Sequence, residues 1–459
     1  FWLCMRGCIR VFKGYPPKNT YKYAVMIVSP KRQFLNSIQK VDFLVVDVLI
    51  KKNESVFISC DKNEDLKKEH KKYLTDNNLN HIGDLNAFIS LEAIENAVPS
   101  CLFLLFQLRE EGFVLEGSLK IIYYYVRWSS FAARCRIDHL ITHADFNTQT
   151  IARNIILEKH GCRSHYYLDS VSLGYISFKD DVNVKHRHNL FGFLYYDSLI
   201  SWCDKAHDYF EQSGCKFKHY VNLGCFWAEH LRLIQEGKIK SDLKKKLYLN
   251  GYKENMKLIS VFDSTFNDDS LSTYIDGIGF LENILRLLND LPDIFVILKE
   301  KKPREFHPRF THHFADILKI YTKLENHERC YCVNNYGNSS DVIAFSDLTV
   351  SFPFTSTTFE ALSARKKAIW YDATGKFRGA FYDDIPGLVC HNYKEFITRV
   401  KELLFNISEE EYNNYLDEYV KGNLELYLDG RAISRFREHI VGSDRDTQYF
   451  SLRKEVKSV

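Results

Sequence analysis

The stretch Asp347-Leu-Thr-Val-Ser-Phe-Pro-Phe-Thr-Ser-Thr-Thr-Phe-Glu-Ala-Leu362 decides the fold of this protein. It begins with an apolar run that is typical of a buried strand, and Pro353 lies where that strand ends. A turn rich in hydroxyl side chains follows, and then a pattern that predicts a helix. A buried strand that leads directly into a helix is the repeating unit of α/β proteins with parallel sheets.

The same alternation continues on both sides of this stretch through the second half of the chain. Continuous apolar runs predict strands at Leu258–Phe262, Ile294–Lys299, Cys330–Val333, Leu348–Phe352, Ala368–Tyr371 and Leu388–His391. The segments between them predict helices at Asp276–Asn289, Phe310–Leu324, Ser339–Phe345, Thr357–Ala364 and Tyr393–Phe405. This succession predicts a Rossmann-like parallel sheet.

The first half shows the same pattern less regularly. Strands are predicted at Tyr23–Ser29, Val56–Ser59, His139–His143, His165–Leu168, Leu194–Ser201 and His219–Gly224, with helices such as Thr148–His160 and Asp204–Gln212 between them. A lysine-rich segment of low apolar content, residues 238–257, separates the halves and contains the turn sequence Asn250-Gly251. We therefore expect two Rossmann-like domains that face a cleft, residues 1–250 and 251–425. Residues 426–459 are expected to form a final helix that returns towards the first domain.

Composition excludes several classes of protein. The 459 residues carry a net charge of only +3, which is too balanced for a protein held on nucleic acid by counterion release. The twelve cysteines include no CxxC pair, so neither a zinc site nor any other metal site is predicted. No apolar run approaches the ~18 residues of a membrane-spanning helix, and the first residues do not read as a signal peptide. A cytoplasmic protein is expected. The aromatic and histidine-rich stretch at residues 185–196 is interpreted as strand packing.

The hydroxyl turn is the first candidate site. Thr355, Ser356 and Thr357 open a helix, whose first N–H groups lack intrahelical partners and form the positive end of the helix dipole. Such a turn suits a phosphate. An alternative needs no ligand: Thr357 and Glu360 have the spacing of a capping box, in which the two residues satisfy the helix end themselves. Spacing alone leaves both interpretations open.

The segments Pro353-Phe-Thr-Ser356, Phe359-Glu-Ala-Leu362 and Lys367-Ala-Ile-Trp-Tyr-Asp372 resemble the signature of bacterial polysaccharide biosynthesis proteins named for their PFTS motif. Supporting segments extend the resemblance to roughly residues 120–440. They are His143-Ala-Asp145, Ile151-Ala-Arg-Asn154, Ser260-Val-Phe-Asp263, Lys299-Glu-Lys-Lys-Pro303 and Leu428-Asp-Gly-Arg431. The resemblance implies a GT-B fold and a glycosyltransferase activity.

The resemblance also implies a role for the lysine segment that follows the strand at Ile294–Lys299. Related GT-B enzymes that use CMP-activated acidic sugars have a Lys-Pro-His-Pro segment here, and its His meets the nucleotide phosphate. This chain has Lys301 and Lys302 instead, which leaves the donor nucleotide open. A lysine is itself a suitable point charge for phosphate. The alternative is a solvated charge run at the end of a strand.

Three further residues are candidates. Glu360 is expected to reach the ribose or the donor sugar, as the resemblance implies, unless it caps the helix. Asp145 lies just after a strand and is the candidate general base on an acceptor hydroxyl, with His143 as a second base or as its orienting partner. Asp145 is alternatively a turn or N-cap residue ahead of Thr148. Asp169 is a weaker candidate of the same kind.

The expected function is therefore transfer of a sugar from a nucleotide-activated donor, for example a CMP-activated ulosonic acid, to a growing surface polysaccharide such as O-antigen or capsule. The expected partners are the nucleotide sugar and a glycan or lipid-linked acceptor, with at most peripheral contact at the inner face of the membrane. No cofactor is expected. Two alternatives stay open: a sugar-nucleotide epimerase or polyol-phosphate transferase on the same fold, and a non-catalytic assembly protein.

Overall fold

The computed structural model describes most of the chain. The described ranges are 19–28, 52–59, 68–76, 78–89, 115–143, 150–171, 194–267, 272–302, 313–333 and 337–442, with single positions such as 145 and 147 and scattered ones between 91 and 106. Most of the histidine-rich stretch at 185–196 lies outside these residues, as do Thr148 and Pro303.

Two parallel sheets organise the described residues. The first has the strand order β3-β2-β1-β4-β5-β6-β7, and all of its neighbouring pairs are parallel. Its strands are β1 Asn19–Ile27, β2 Ser55–Ser59, β3 Asn80–Ile82, β4 Cys135–Thr142, β5 Arg163–Tyr167, β6 Tyr195–Ser201 and β7 Lys216–Asn222.

The second sheet has the order β10-β9-β8-β11-β12-β13 and is also parallel throughout. Its strands are β8 Lys257–Phe262, β9 Ile294–Lys299, β10 Cys330–Val333, β11 Leu348–Ser351, β12 Ala368–Tyr371 and β13 Val389–Cys390. Strand β8 lies at the centre, with β9 on one side and β11 on the other. Because the three strands are parallel, the loops that follow them emerge at the same edge of the sheet.

Helices connect the strands and cover the sheets. In the part of the chain that the structure describes, the named α-helices are α1 Lys68–Asp76, α2 Leu115–Ala132, α3 Thr150–Lys159, α4 Lys205–Gln212, α5 Phe226–Gln235, α6 Leu243–Leu249, α7 Tyr274–Asp290, α8 His313–Glu325, α9 Ser339–Phe345, α10 Ser356–Ser363, α11 Tyr393–Lys401, α12 Glu409–Tyr415, α13 Lys421–Leu424 and α14 Ala432–Gly442. Short 3₁₀ turns occupy Lys52–Glu54, Leu85–Phe88 and Phe381–Asp384, and π turns follow α11 and α12 at Glu402–Asn406 and Leu416–Val420.

Burial explains why these segments form strands. In β9 the five residues Ile294 to Leu298 are fully buried, because helices cover both faces of the parallel sheet. The helices bury residues at every third or fourth position along one side. In α7 these include Tyr274, Gly277, Leu281 and Leu288. A capping box formed by Thr273 and Asp276 begins this helix.

The α/β fold class with two parallel sheets is confirmed, and so is each predicted strand to within a few residues. The sequence analysis missed β3, a three-residue strand at the edge of the first sheet whose residues are only exposed or half-buried. An edge strand of that length has no apolar run to reveal it.

The two sheets meet through helices. Helix α5, which follows the first sheet, packs against α9 and α10 of the second. The chain then returns: an isolated antiparallel bridge joins Leu426 to Cys203. The last helix, α14, packs on α5 through Phe436 and Phe226, whose ring centroids are 5.3 Å apart. The loops at the carboxyl ends of β5 and β11 also meet, because Ser170 Oγ lies 2.8 Å from Ser356 Oγ, so the carboxyl edges of the two sheets face each other here.

Within the described residues, no helix combines the length and the apolar character needed to span a bilayer.

Candidate donor site at the carboxyl edge of the second sheet

The hydroxyl turn lies between β11 and α10. Thr355 is the N-cap residue of α10, yet its side chain makes no capping hydrogen bond and instead donates to the carbonyl of Phe352 at 3.1 Å. The Thr357 hydroxyl lies 2.8 Å from Ser351 Oγ and 3.2 Å from Thr355 Oγ1. These contacts direct Thr355 and Thr357 back towards the strand. The N–H groups at the start of α10 therefore lack a side-chain cap.

Ser356 differs from its neighbours in the turn. It is the first residue of α10, it is half-buried, and its hydroxyl lies 2.8 Å from the hydroxyl of Ser170. Ser170 belongs to the loop that follows β5 of the first sheet. Ser356 is thus the member of the turn that faces the opposite side of the cleft, whereas the Thr358 side chain is fully buried beneath the helix.

The capping-box interpretation of Thr357 and Glu360 is wrong. The helix begins one residue earlier than predicted, at Ser356, so Glu360 is not in the position that closes such a box. Its carboxylate instead accepts a hydrogen bond from Ser339 Oγ at 3.3 Å, and the residue is 6% exposed. Its contact with a donor sugar or ribose stays a prediction.

The lysine segment lies at the same sheet edge, after β9. Lys301 and Lys302 are exposed, and the backbone of this segment is fixed from below because Lys301 N donates to Asp263 Oδ1 at 2.6 Å. Asp263 directly follows β8, and its second oxygen accepts from the Tyr321 hydroxyl at 2.5 Å. Burial raises the pKa of Asp263 to about 7 against the effect of these two hydrogen bonds.

A second polar cluster at this edge was not recognised in the sequence. Asp372 follows β12 directly, and His391 follows β13. The two nitrogens of the His391 ring lie 2.9 Å from Asp372 Oδ2 and 2.8 Å from Asp383 Oδ1. The hydrogen bond with Asp372 raises the pKa of His391, as do the bond with Asp383 and both negative charges, against the effect of burial. The signal in the sequence was the position of Asp372 at a strand end.

The same loop touches the first half of the chain. Phe381, in the 3₁₀ turn Phe381–Asp384, lies beneath the Lys205 ammonium, which is 3.5 Å from the ring centroid. Lys205 is the first residue of α4. The loop after β12 therefore contacts the start of α4 through a cation–π interaction.

The predicted catalytic pair His143 and Asp145 lies after β4 and is buried, each residue being 1% exposed. Asp145 Oδ2 accepts hydrogen bonds from Arg153 at 2.5 Å and from Thr142 at 3.1 Å, and Arg153 is itself fully buried. His143 Nδ1 lies 3.0 Å from the Tyr167 hydroxyl. The Asp145 carboxylate is therefore buried and paired with Arg153, and the role of Asp145 or His143 as general base stays a prediction.

Asp169, the weaker candidate, is better placed. It is half-buried on the loop after β5, immediately before Ser170. The indole of Trp227 donates to the Asp169 carbonyl at 3.0 Å and so anchors the loop. Burial, and to a lesser degree the Asp169 charge, raise the pKa of Tyr167 well above its ordinary value. Asp169 therefore directly precedes Ser170, the residue whose hydroxyl contacts Ser356.

No group of three or more His, Cys, Asp or Glu side chains suited to a metal ion is found among the described residues.

The chain matches the family described as polysaccharide biosynthesis PFTS motif protein over residues 100–400. No curated protein matches the chain in sequence. Similar solved structures include UDP-GlcNAc 2-epimerase from Neisseria meningitidis bound to UDP-GlcNAc, with a TM-score of 0.51 and 13% identity over 92% of this chain and 100% of that one. The wall teichoic acid polymerase TagF has a TM-score of 0.51 and 12% identity over 96% of this chain and 92% of that one.

A third similar structure is α,α-trehalose 6-phosphate synthase from Burkholderia multivorans, with a TM-score of 0.50 and 13% identity over 96% of this chain and all of that one. At these identities the likeness concerns the fold. The fold is GT-B, as the sequence analysis predicted.

Proposed function

Because the chain belongs to the family of polysaccharide biosynthesis proteins with a PFTS motif, we propose that it transfers a glycosyl unit from a nucleotide-activated donor to a growing surface polysaccharide. The activated donor binds at the carboxyl edge of the second sheet, and the acceptor enters from the side of the first sheet. In this arrangement the reaction takes place in the cleft, where ligands of open α/β sheets bind.

One observation carries the proposal. Ser356 begins a helix that has no side-chain cap and whose first turn faces the opposite sheet across the cleft. A helix N-terminus favours an anion, and the hydroxyl adds a donor directed at it. Lys301 and Lys302 contribute positive charge from the same edge of the sheet. These groups together suit a phosphate.

The reaction needs this charge most when the bond to the donor breaks. An acceptor hydroxyl attacks the anomeric carbon, and the bond between that carbon and the phosphate oxygen breaks. The electron pair leaves with the phosphate, and the hydroxyl proton passes to a base. Hydrogen bonds and charges that meet the growing negative charge on the phosphate stabilise the transition state more than the ground state. The site residues Ser356, Lys301 and Lys302 take that role.

The base belongs to the first sheet in this proposal. Asp169 is half-buried and directly precedes Ser170, whose hydroxyl contacts Ser356, whereas Asp145 is ion-paired with Arg153. Asp169 is therefore the carboxylate that we assign to the acceptor proton. In this scheme Asp145 and His143 hold the end of β4 in place.

The identity of the donor nucleotide is tested by measuring the thermal unfolding of the chain with CMP, UDP, GDP or dTDP. A nucleotide that binds only the folded chain adds about 2.7 kcal/mol of stability at 100 times its Kd, so the preferred base stands out. A preference for CMP supports an ulosonic acid as the transferred sugar. If none of the four raises the melting temperature, the nucleotide site is wrong.

A pair of variants tests whether the nucleotide binds beside Lys301 and Lys302. Replacing Lys301 and Lys302 together by Gln removes two charges from the sheet edge, and we expect the affinity for the preferred nucleotide to fall about tenfold or more. The matched control replaces Lys319 and Lys323, exposed lysines of α8 in the same half of the chain, by Gln. Equal losses in both variants would indicate nonspecific charge. Consumption of the sugar nucleotide without any acceptor would instead favour an epimerase.

A further inference from the structure

A hydrogen bond joins the two sides of the cleft at the candidate phosphate site. Ser170 Oγ and Ser356 Oγ lie 2.8 Å apart, although the residues are 186 positions apart in the sequence. Ser170 follows β5 of the first sheet, and Ser356 begins α10 beside the second. Both side chains are half-buried. The contact brings a hydroxyl of the first sheet to the helix end that we assign to the donor phosphate.

Buried contacts determine the position of Ser170. The Trp202 indole donates to the Leu168 carbonyl at 2.7 Å, and the Trp227 indole donates to the Asp169 carbonyl at 3.0 Å. The next residue, Val171, is fully buried. The backbone is thus anchored on both sides of Ser170. Because these buried contacts already hold the Ser170 hydroxyl at the cleft, little conformational entropy is lost when it binds a ligand.

The chemistry of two paired hydroxyls suits an anion. Each hydroxyl has one proton to donate and can also accept, whereas a phosphate oxygen only accepts. When a phosphate enters, the pair exchanges its mutual hydrogen bond for two hydrogen bonds to one anion. The hydroxyls of Thr355 and Thr357 are differently placed, because they bond to Phe352 and Ser351 behind the turn.

We propose that Ser170 is a ligand of the donor phosphate contributed by the first sheet, so that the phosphate is held from both sides of the cleft. This inference rests on the proposed function, because it takes the α10 N-terminus as the phosphate site. It adds a residue that neither the PFTS motif nor the lysine segment contains. If Ser170 and Ser356 both bind the phosphate, the bound phosphate links the two halves of the molecule.

The test compares Ser170→Ala, Ser356→Ala and the double variant with the parent chain. Binding of CMP, UDP, GDP and dTDP, and of their four nucleosides, is measured by calorimetry, and the urea midpoint reports stability. Losing one hydrogen bond to a charged group weakens binding about tenfold or more, so each single variant is expected to lose that much affinity for the nucleotide. Nucleoside affinity is expected to stay unchanged.

The double variant separates direct binding from positioning. If each hydroxyl binds the phosphate, the double variant loses clearly more affinity than either single variant, up to about a hundredfold; because the two residues are in contact, the losses need not multiply in full. If Ser170 only orients Ser356, the double variant loses no more than Ser356→Ala alone, and the proposal is overturned. The matched control is Ser213→Ala, a half-buried hydroxyl at the end of α4 that donates to the Tyr209 carbonyl. This variant is expected to bind nucleotide as the parent does.

The remaining outcomes are also decisive. Weak binding by Ser356→Ala together with parent-like binding by Ser170→Ala overturns the role of Ser170 and leaves the proposed function intact. A parent chain that binds none of the four nucleotides overturns both proposals. A loss of nucleoside affinity equal to the loss of nucleotide affinity means that Ser170 acts on the shape of the cleft and not on the phosphate, which also overturns the inference.

Discussion

At the scale of single residues, the acidic side chains that follow β8 and β12 hold neighbouring parts of the candidate site in place by hydrogen bonds. Asp263 holds the backbone of the lysine segment through Lys301 N, and Asp372 holds His391. Neither carboxylate has to touch a substrate to do so. Burial raises the pKa of Asp263, because a charge that is removed from water is costly unless hydrogen bonds or an opposite charge compensate for it.

Asp263 gives a prediction with a definite sign. Its pKa is about 7 in the folded chain and about 4 in an unfolded one, so between these values the folded state binds the extra proton. The free energy of unfolding therefore falls as pH rises from about 4 to 7, by up to about 1.4 kcal/mol per pH unit from this group. Asp263→Asn resembles the protonated side chain and is expected to lose that part of the slope. Urea unfolding over this pH range measures it.

The control for this prediction is Asp242→Asn, since Asp242 is an exposed acid whose side chain makes no capping hydrogen bond. It is expected to keep the slope of the parent chain. If Asp263→Asn and the parent have the same pH dependence, the Asp263 carboxylate is ionised in the folded chain across this range, and its pKa is not raised.

At the scale of elements, the start of α10 depends on a hydroxyl network and not on a capping box. Thr357 bridges the fully buried Ser351 hydroxyl at the end of β11 and the Thr355 hydroxyl at the N-cap. The network fixes the turn between strand and helix and leaves the first N–H groups of α10 without a side-chain partner. The hydroxyls of Ser351, Thr355 and Thr357 thus hold the start of α10 on the side of β11. The Ser356 hydroxyl points the other way, towards Ser170.

We expect Thr357→Val to destabilise the chain by about 1–3 kcal/mol, because the buried Ser351 hydroxyl loses a partner while the shape of the side chain is kept. Nucleotide affinity is expected to change less than it does in Ser356→Ala. Urea midpoints and calorimetry on both variants test this difference. The control is Thr322→Val, an exposed threonine within α8, and it should leave both quantities unchanged. A Thr357→Val chain with parent-like stability but poor nucleotide binding would reverse the assignment.

At the scale of the whole molecule, the last helix follows the second sheet in the chain but packs against the first half. Its His439 side chain packs edge-on against His165 of β5, with ring centroids 5.7 Å apart. His165 Nε2 in turn lies 3.1 Å from Nδ1 of His139 in β4. Burial, and then the neighbouring histidines and Arg163, lower the pKa of His439 to about 4 and that of His165 well below its ordinary value.

This cluster predicts that α14 is released in acid. The folded-state pKa of His439 is depressed, so its contribution is present above the unfolded value of about 6.5 and is lost as pH falls towards 4, by up to about 1.4 kcal/mol per pH unit. We expect the protection factors of the amides in residues 432–440, which correct for the intrinsic slowing of exchange in acid, to fall over this range before the second sheet opens. His439→Phe keeps a ring without a proton site and should reduce this pH dependence.

The matched control is His313→Gln, in α8 of the second half, which should not alter the exchange of α14. Unchanged protection factors in the parent chain between pH 6.5 and 4 would mean that the histidine cluster does not control the docking of the last helix. The effect is distinct from that of Asp263, because the two groups change stability in opposite directions as pH rises.

The sequence by itself determined the order of strands and helices in the second half, because buried parallel strands are continuous apolar runs and helices bury residues every third or fourth position. It also indicated the hydroxyl turn and the lysine segment at the same sheet edge. Only the tertiary structure decided that Asp145 pairs with Arg153 and that Ser356 meets Ser170. Which side chain faces which partner depends on packing between residues distant in the chain, and local periodicity carries no information about that packing.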